Sequence, residues 1–265
     1  MRAKMGVSWL GPSRLVMHSR LTLVERLRWE RAQLGMIGVL LILPILLCLM
    51  ALLTNWDLAL ADAAFDPRTR TFPLRHVWLT EVFNHVIVKE LFTVIALGFI
   101  AVVVWDGIRP RPWSWLRRFQ FRVVALSAVA VPGATSVLKH LSKSHCPWDL
   151  TRYGGTQPYV RLFDFLPAGM GSGQCMPAGH ASSVLWIISV SIFFIPHRLA
   201  HAAAAMAGLL AIGFCVGWLQ QLRGAHFLTH TLWSLWIALA LVFLVTTLLD
   251  RVVVDNDLVS TCPGK

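Results

Sequence analysis

Residues 219–233 read LQQLRGAHFLTHTLW, and this stretch lies between two long apolar runs. Arg223, His226 and His230 therefore crowd a turn between two greasy segments. Ionisable groups at such a position carry a free-energy cost unless a function uses them. The flanking sequence shows what kind of chain makes this turn.

The chain has 265 residues, 56% of them hydrophobic and 14% charged, with a mean hydropathy of +0.63. That balance is too apolar for a soluble domain and points to several membrane spans. Six runs reach or approach the roughly 20 helical residues that cross a hydrocarbon core of about 30 Å. They fall near Leu34–Leu53, Val86–Trp105, Phe121–Leu138, Ala178–Ile195, Ala202–Trp218 and Phe227–Leu249. The expected fold is an all-α integral membrane bundle of six transmembrane helices, with an outward loop between the third and fourth. Residues 1–33 form an N-terminal arm, within which Arg14–Trp29 reads as an interfacial helix. Residues 34–249 form the membrane domain and 250–265 a tail. The first run is too long, and its charged leader too extended, for a cleaved signal peptide, so it reads as an anchor.

A formal charge of +11 raises the question of nucleic acid. The cations flank apolar runs instead of forming a stripe with interleaved aromatics, so no nucleic-acid partner is implied. Seven Lys and Arg precede the first run and five more lie in 106–122. The positive-inside rule then places both termini in the cytoplasm and turns segments 55–85, 139–176 and 219–226 outward. In a bacterial inner membrane that outward side is the periplasm.

Of five cysteines, Cys48 and Cys215 lie within spans and read as inert core residues, and Cys262 lies in the tail. Cys146 and Cys175 are isolated together in the outward loop. They are expected to form a disulfide, two free thiols being the alternative.

On this topology the unusual polar residues gather at one face. Lys139 ends the third span, PAGH (177–180) opens the fourth, and Arg223 and His226 separate the fifth from the sixth. His230 is one helical turn farther on. Helix N-termini beginning near 178 and 227 aim N–H groups at the same face, which suits an anion. Two other readings of the histidines exist. A zinc site on H-x3-H lacks the glutamate of H-E-x-x-H, and a bis-histidine haem would use His180 with His226 or His230. His76, His85, His140, His197 and His201 read as interfacial or solvated.

These spacings resemble the type 2 phosphatidic acid phosphatase superfamily, whose pattern is K-x6-R-P, then P-S-G-H, then S-R-x5-H-x3-D. Lys139 and Pro147 match the first motif, with Cys146 at the arginine position. Pro177, Gly179 and His180 match the second, with Ala178 for serine. In the third, His226 matches the nucleophile, Gln220 stands at the arginine and His230 at the aspartate. Arg223 is three residues past Gln220, about one helical turn, and is the expected replacement cation. His145, Lys143, Arg152 and Arg161 are candidates for the charge missing at 146. Asp149, Asp164 and Glu81 are candidates for the missing carboxylate, and a neutral His230 is a possible acceptor for the second ring nitrogen of His226.

The resemblance implies a phosphatase that uses no metal or other cofactor. His226 would act as nucleophile and His180 as acid and base, while Lys139, Arg223, Gly179 and Ala178 hold phosphate oxygens. The implied partners are the bilayer and a lipid phosphate or lipid pyrophosphate substrate; no protein partner is indicated. Lipid-to-lipid phosphotransfer and non-catalytic lipid-phosphate binding or transport remain as alternatives.

Overall fold

The computed structural model describes residues 22–162, 164, 165, 169 and 171–261, and for Arg26 and residues 251–261 the backbone alone. The arm up to residue 21, and with it much of the expected interfacial helix, lies outside the described residues, as does Cys262. From Leu23 onward the chain is already helical and runs unbroken into the first apolar helix.

Among the described residues seven helices carry the fold. They are α1 (Leu23–Leu53), α2 (Trp56–Ala64), α3 (Leu79–Ile108), α4 (Trp115–Leu141), α5 (Gly179–Phe194), α6 (Leu199–Leu222) and α7 (Leu228–Thr261). Among the described residues there is no strand, only two isolated bridges, Asp66 with Thr71 and Leu150 with Gln157. Five helices are long and apolar enough to cross a membrane: α1, α3, α4, α6 and α7 through Asp250. The protein is a multi-pass membrane protein. Helix α5 is apolar but shorter, and from Trp186 it tightens into a 3₁₀ helix.

Local sequence explains where these helices begin. Thr22 and Glu25 form a reciprocal capping box at the start of α1, satisfying donors that a helix N-terminus otherwise leaves open. Ser114 caps α4 through the Arg117 N–H. Helix α3 starts earlier than its hydropathy predicts, at Leu79, with π-helical turns through Val88. The reason lies in Thr80 and Asn84, which are polar yet buried. Asn84 donates from Nδ2 to the Val216 carbonyl of α6 at 3.1 Å. Residues 79–85, expected in an outward loop, are therefore the first turns of a helix.

The core is the contact of α4, α5, α6 and α7. Val123, Val124 and Val131 of α4 meet Leu185 and Ile188 of α5 and Ala238 of α7, all essentially excluded from solvent. A Cβ on Gly213 would lie 2.2 Å from Leu185 and one on Gly217 2.3 Å from Thr231. Small residues let helices approach closely where packing, not water exclusion, drives association. The outer faces carry exposed Leu41, Ile42, Val94 and Leu97, which a bilayer would cover. Cys215 is likewise exposed on α6 and so is not a core residue.

The C-terminal ends of α4 and α6 and the starts of α5 and α7 meet at one end of the bundle. Helix α2 covers that end. Its Asp57 accepts the Thr229 N–H of α7 at 3.0 Å and also bonds the Thr229 hydroxyl. Its Asp62 takes a two-pronged bond from Arg152 at 2.7 and 2.6 Å and another from the Tyr153 hydroxyl. Arg152 holds the Asp62 carboxyl below the usual carboxylate range. Ala61, Phe72, Leu150, Tyr153 and Phe227 form a small second core beneath this cover.

Candidate active site

The turn of residues 223–225 is built by geometry as well as by sequence. Gly224 adopts φ +77°, and a Cβ there would lie 2.3 Å from the Phe72 ring. Only glycine fits both conditions. The Gly224 N–H returns to the Gln221 carbonyl and the Ala225 N–H to that of Gln220. The Gly224 carbonyl accepts the Trp148 N–H at 3.0 Å, so the CPWD segment is tied to the turn that delivers His226.

His226 is 3% exposed, and its Nδ1 lies 3.5 Å from Sγ of Cys175. The Cys146 and Cys175 sulfurs are 1.94 Å apart, at disulfide distance. A bridged sulfur has no proton to give, so with the bridge formed a hydrogen bond here would be donated by Nδ1 and would leave Nε2 with its lone pair. Burial holds His226 well below the usual histidine range, with His230 and Lys139 acting in the same direction.

His180, in the first turn of α5, has its ring centroid 6.2 Å from that of His226. His230 lies 5.8 Å from His226, so two segments distant in sequence, around 180 and 226–230, converge. The expected bond between His226 and His230 is not formed. His230 Nε2 pairs with the Ser144 hydroxyl at 3.0 Å, and its Nδ1 is buried without a partner.

Arg223 is 7% exposed. Its guanidinium is 4.0 Å from the Glu81 carboxylate, donates at 3.5 Å to Gln220 Oε1 and lies 5.6 Å from the Trp148 ring centroid. Its Nε is buried and unpaired. Gln220, fully buried, has an unpaired Nε2. Lys139 is half-buried in the last turn of α4 and close enough to act electrostatically on His226. A Cβ added to Gly179 would meet nothing within 4 Å, so the backbone there borders open space. Ala178 is different. Its N–H donates to the His230 carbonyl at 3.2 Å, and its carbonyl accepts the hydroxyls of Ser182 and Ser234. In this state Ala178 joins α5 to α7 and its amide is in use.

The remaining candidates separate. His145 is held by the Gly171 carbonyl at 3.0 Å. Arg152 is committed to Asp62, and Arg161 to the Leu52 carbonyl and Asn55. Lys143 lines a cavity beside the site. Asp149 uses its main chain, accepting the Thr156 and Gln157 N–H groups. Asp164 accepts the Arg161 N–H. Of the three proposed carboxylates, Glu81 is the one the structure brings to Arg223.

Three residues outside the motif positions join the site. Arg75 lies 4.7 Å from the centroid of the same Trp148 ring. The His85 ring, expected at the interface, is 3.9 Å from that of His180. Asp57 and His230 border one cavity of about 20 Å³ together with Ser144 and Tyr159, room for about one water. Nothing in the local sequence marked Arg75 or Asp57; His85 carried a signal only through its place one turn past Glu81 in a helix that starts early.

Among the described residues one metal-like grouping exists: the two cysteine sulfurs and a ring nitrogen of His226 all lie within 4.8 Å of one another.

Imidazoles and cations thus gather at one end of an all-helical membrane bundle. A family model described as the PAP2 superfamily matches residues 119–253, about half the chain. The chain belongs to the PAP2 superfamily, whose members are phosphatases. No curated protein and no solved structure matches it.

Proposed function

We propose that this protein is a metal-independent lipid phosphatase acting at the periplasmic face of a bacterial inner membrane on a phosphate monoester or pyrophosphate. The carrying observation is the approach of His180 and His226, ring centroids 6.2 Å apart, beside a buried arginine. Such a pair suits phosphoryl transfer through a covalent nitrogen intermediate.

In the first step Nε2 of His226 attacks phosphorus in line and the P–O bond to the lipid breaks. The departing oxygen keeps the electron pair and takes a proton from His180. The arriving phosphate charge favours the protonated His180 that this step needs. His180 then takes a proton from water, whose oxygen attacks phosphorus and returns the P–N pair to His226. Lys139, Arg223 and the N–H of Gly179 hold the equatorial oxygens, where the transition state carries its charge. Arg75, stacked on Trp148 with Arg223, supplies the positive charge that position 146 lacks. The Cys146–Cys175 disulfide fixes the loop and the tautomer of His226. His230 acts through packing and its bond to Ser144, not as a direct partner of His226.

A cavity of about 560 Å³ lies beside the site, lined by Leu138, Leu141, Phe165, Trp233, Trp236 and Lys143, among others. It suits an apolar tail with its phosphate held at headgroup level. Helix α5 supplies the sixth crossing: seven α-helical and nine 3₁₀ residues extend about 28 Å, near the hydrocarbon thickness. Phosphate release from phosphatidic acid, phosphatidylglycerol phosphate, undecaprenyl pyrophosphate and lipid A phosphate by purified protein tests the reading. His226→Ala should abolish release and the acid-labile phosphohistidine label. Full release by that variant would end the proposal, and label-free binding by the wild type would identify a binder instead.

A further inference from the structure

At the opposite end of the bundle two cavities adjoin, and neither serves the site described above. One, of about 250 Å³, opens among α1, α5, α6 and α7 and is lined by Trp29, Met36, Ile192, Ile195, Leu199 and Met206, among others. The hydroxyls on its wall are satisfied within their own helices: Ser189 bonds the Trp186 carbonyl, Ser191 that of Ile188 and Thr246 that of Val242. Trp29 is the exception. It is 6% exposed, and its indole Nε1 is buried without a partner. A donor with no acceptor in a water-poor apolar setting is an unfilled half of a hydrogen bond.

The second cavity, of about 530 Å³, shares Leu199 with the first and is lined by Arg28, Arg31, His197, Arg198 and His201. Among the described residues Glu25 is its one acidic lining residue and pairs with His197 at 3.2 Å. Three arginines and one carboxylate of the described residues thus face one cleft. An apolar chamber continuous with a cationic cleft at a helix end has the shape and polarity of an amphiphile with an anionic head.

We propose that this end of the protein binds an anionic phospholipid of the surrounding leaflet. One acyl chain fills the apolar chamber, and Arg28, Arg31 and Arg198 hold the headgroup phosphate. Guanidinium forks suit phosphate oxygens, and cations near a membrane surface favour anionic lipid. The site is separate from His226 and does not depend on its chemistry.

Thermal unfolding in detergent tests this, with phosphatidylglycerol, phosphatidylcholine or soluble glycerol phosphate added. Phosphatidylglycerol at saturation should raise the midpoint by about 5 °C or more, while the other two leave it within about 1 °C. The Arg28→Ala, Arg31→Ala, Arg198→Ala variant should lose the shift, and His226→Ala should keep it. An equal shift with phosphatidylcholine, or an undiminished shift in the triple variant, overturns the proposal. A shift lost in His226→Ala but kept in the triple variant would place the lipid at the phosphatase site instead. Native mass spectrometry counting bound lipids in each variant gives a second measure independent of melting.

Discussion

Asp57 reaches across 172 positions of sequence to hold the first turn of α7, the helix that follows His226 directly. The first N–H groups of any helix lack internal partners, and here a carboxylate from another helix takes the one at Thr229 along with its hydroxyl. Asp57→Ala removes two hydrogen bonds of about 1 kcal/mol each and leaves a helix-start donor open, a loss of about 2 kcal/mol. Asp57→Asn should cost under about 1 kcal/mol, because its amide oxygen can accept the N–H and its NH₂ can donate to the hydroxyl. Burial pushes the Asp57 carboxyl above its ordinary value of 3.8, outweighing the Thr229 bonds. A folded value above the unfolded one means this group's contribution is full below about 3.8 and fades as pH rises through the folded value. Asp57→Asn should remove that part of the slope. Reversible unfolding of the purified protein in bicelles across this window measures both effects, and initial rates of phosphate release follow the displacement of His226. If Asp57→Ala unfolds within about 0.3 kcal/mol of the wild type, or if wild type and Asp57→Asn share one pH slope, the bracing role is wrong.

Two further outcomes follow from the same end of the molecule. Bridging Cys146 and Cys175 closes a separation of 29 residues, so Cys175→Ser should lower stability by roughly 3–4 kcal/mol on the chain-entropy account; mass spectrometry with and without reductant checks the bridge, and two free thiols in oxidised membranes would refute it. Gly224→Ala places a Cβ 2.3 Å from the Phe72 ring at φ +77°, so it should destabilise by more than about 1 kcal/mol and cut phosphate release sharply. A fully active Gly224→Ala of unchanged melting temperature would show that the turn is not needed as built.

The apolar helices were readable because run length alone carries the signal. PAGH and the 226–230 stretch were readable because each pattern lies within one short segment. What stayed hidden is of another kind. The start of α3 was misplaced because Thr80 and Asn84 lower the hydropathy of residues that are nonetheless buried against α6. Arg75 joins Arg223 only through Trp148, a residue in a different loop, and no local pattern links positions 75 and 223. The same holds for His85 on His180.

The two departures in the third motif show how the physics divides. The proposed mechanism asks for a cation near position 220, and Arg223 lies one turn away on the same helix end, a local rule that sequence reveals. It also asks for support at the other ring nitrogen of His226, and the same local rule suggested His230. The structure places the Cys175 sulfur there and turns His230 toward Ser144. Such support works from any direction provided it is close, so selection can recruit it from whichever loop passes by. Groups that meet the substrate are constrained by spacing along the chain, whereas groups that brace them are constrained only in space.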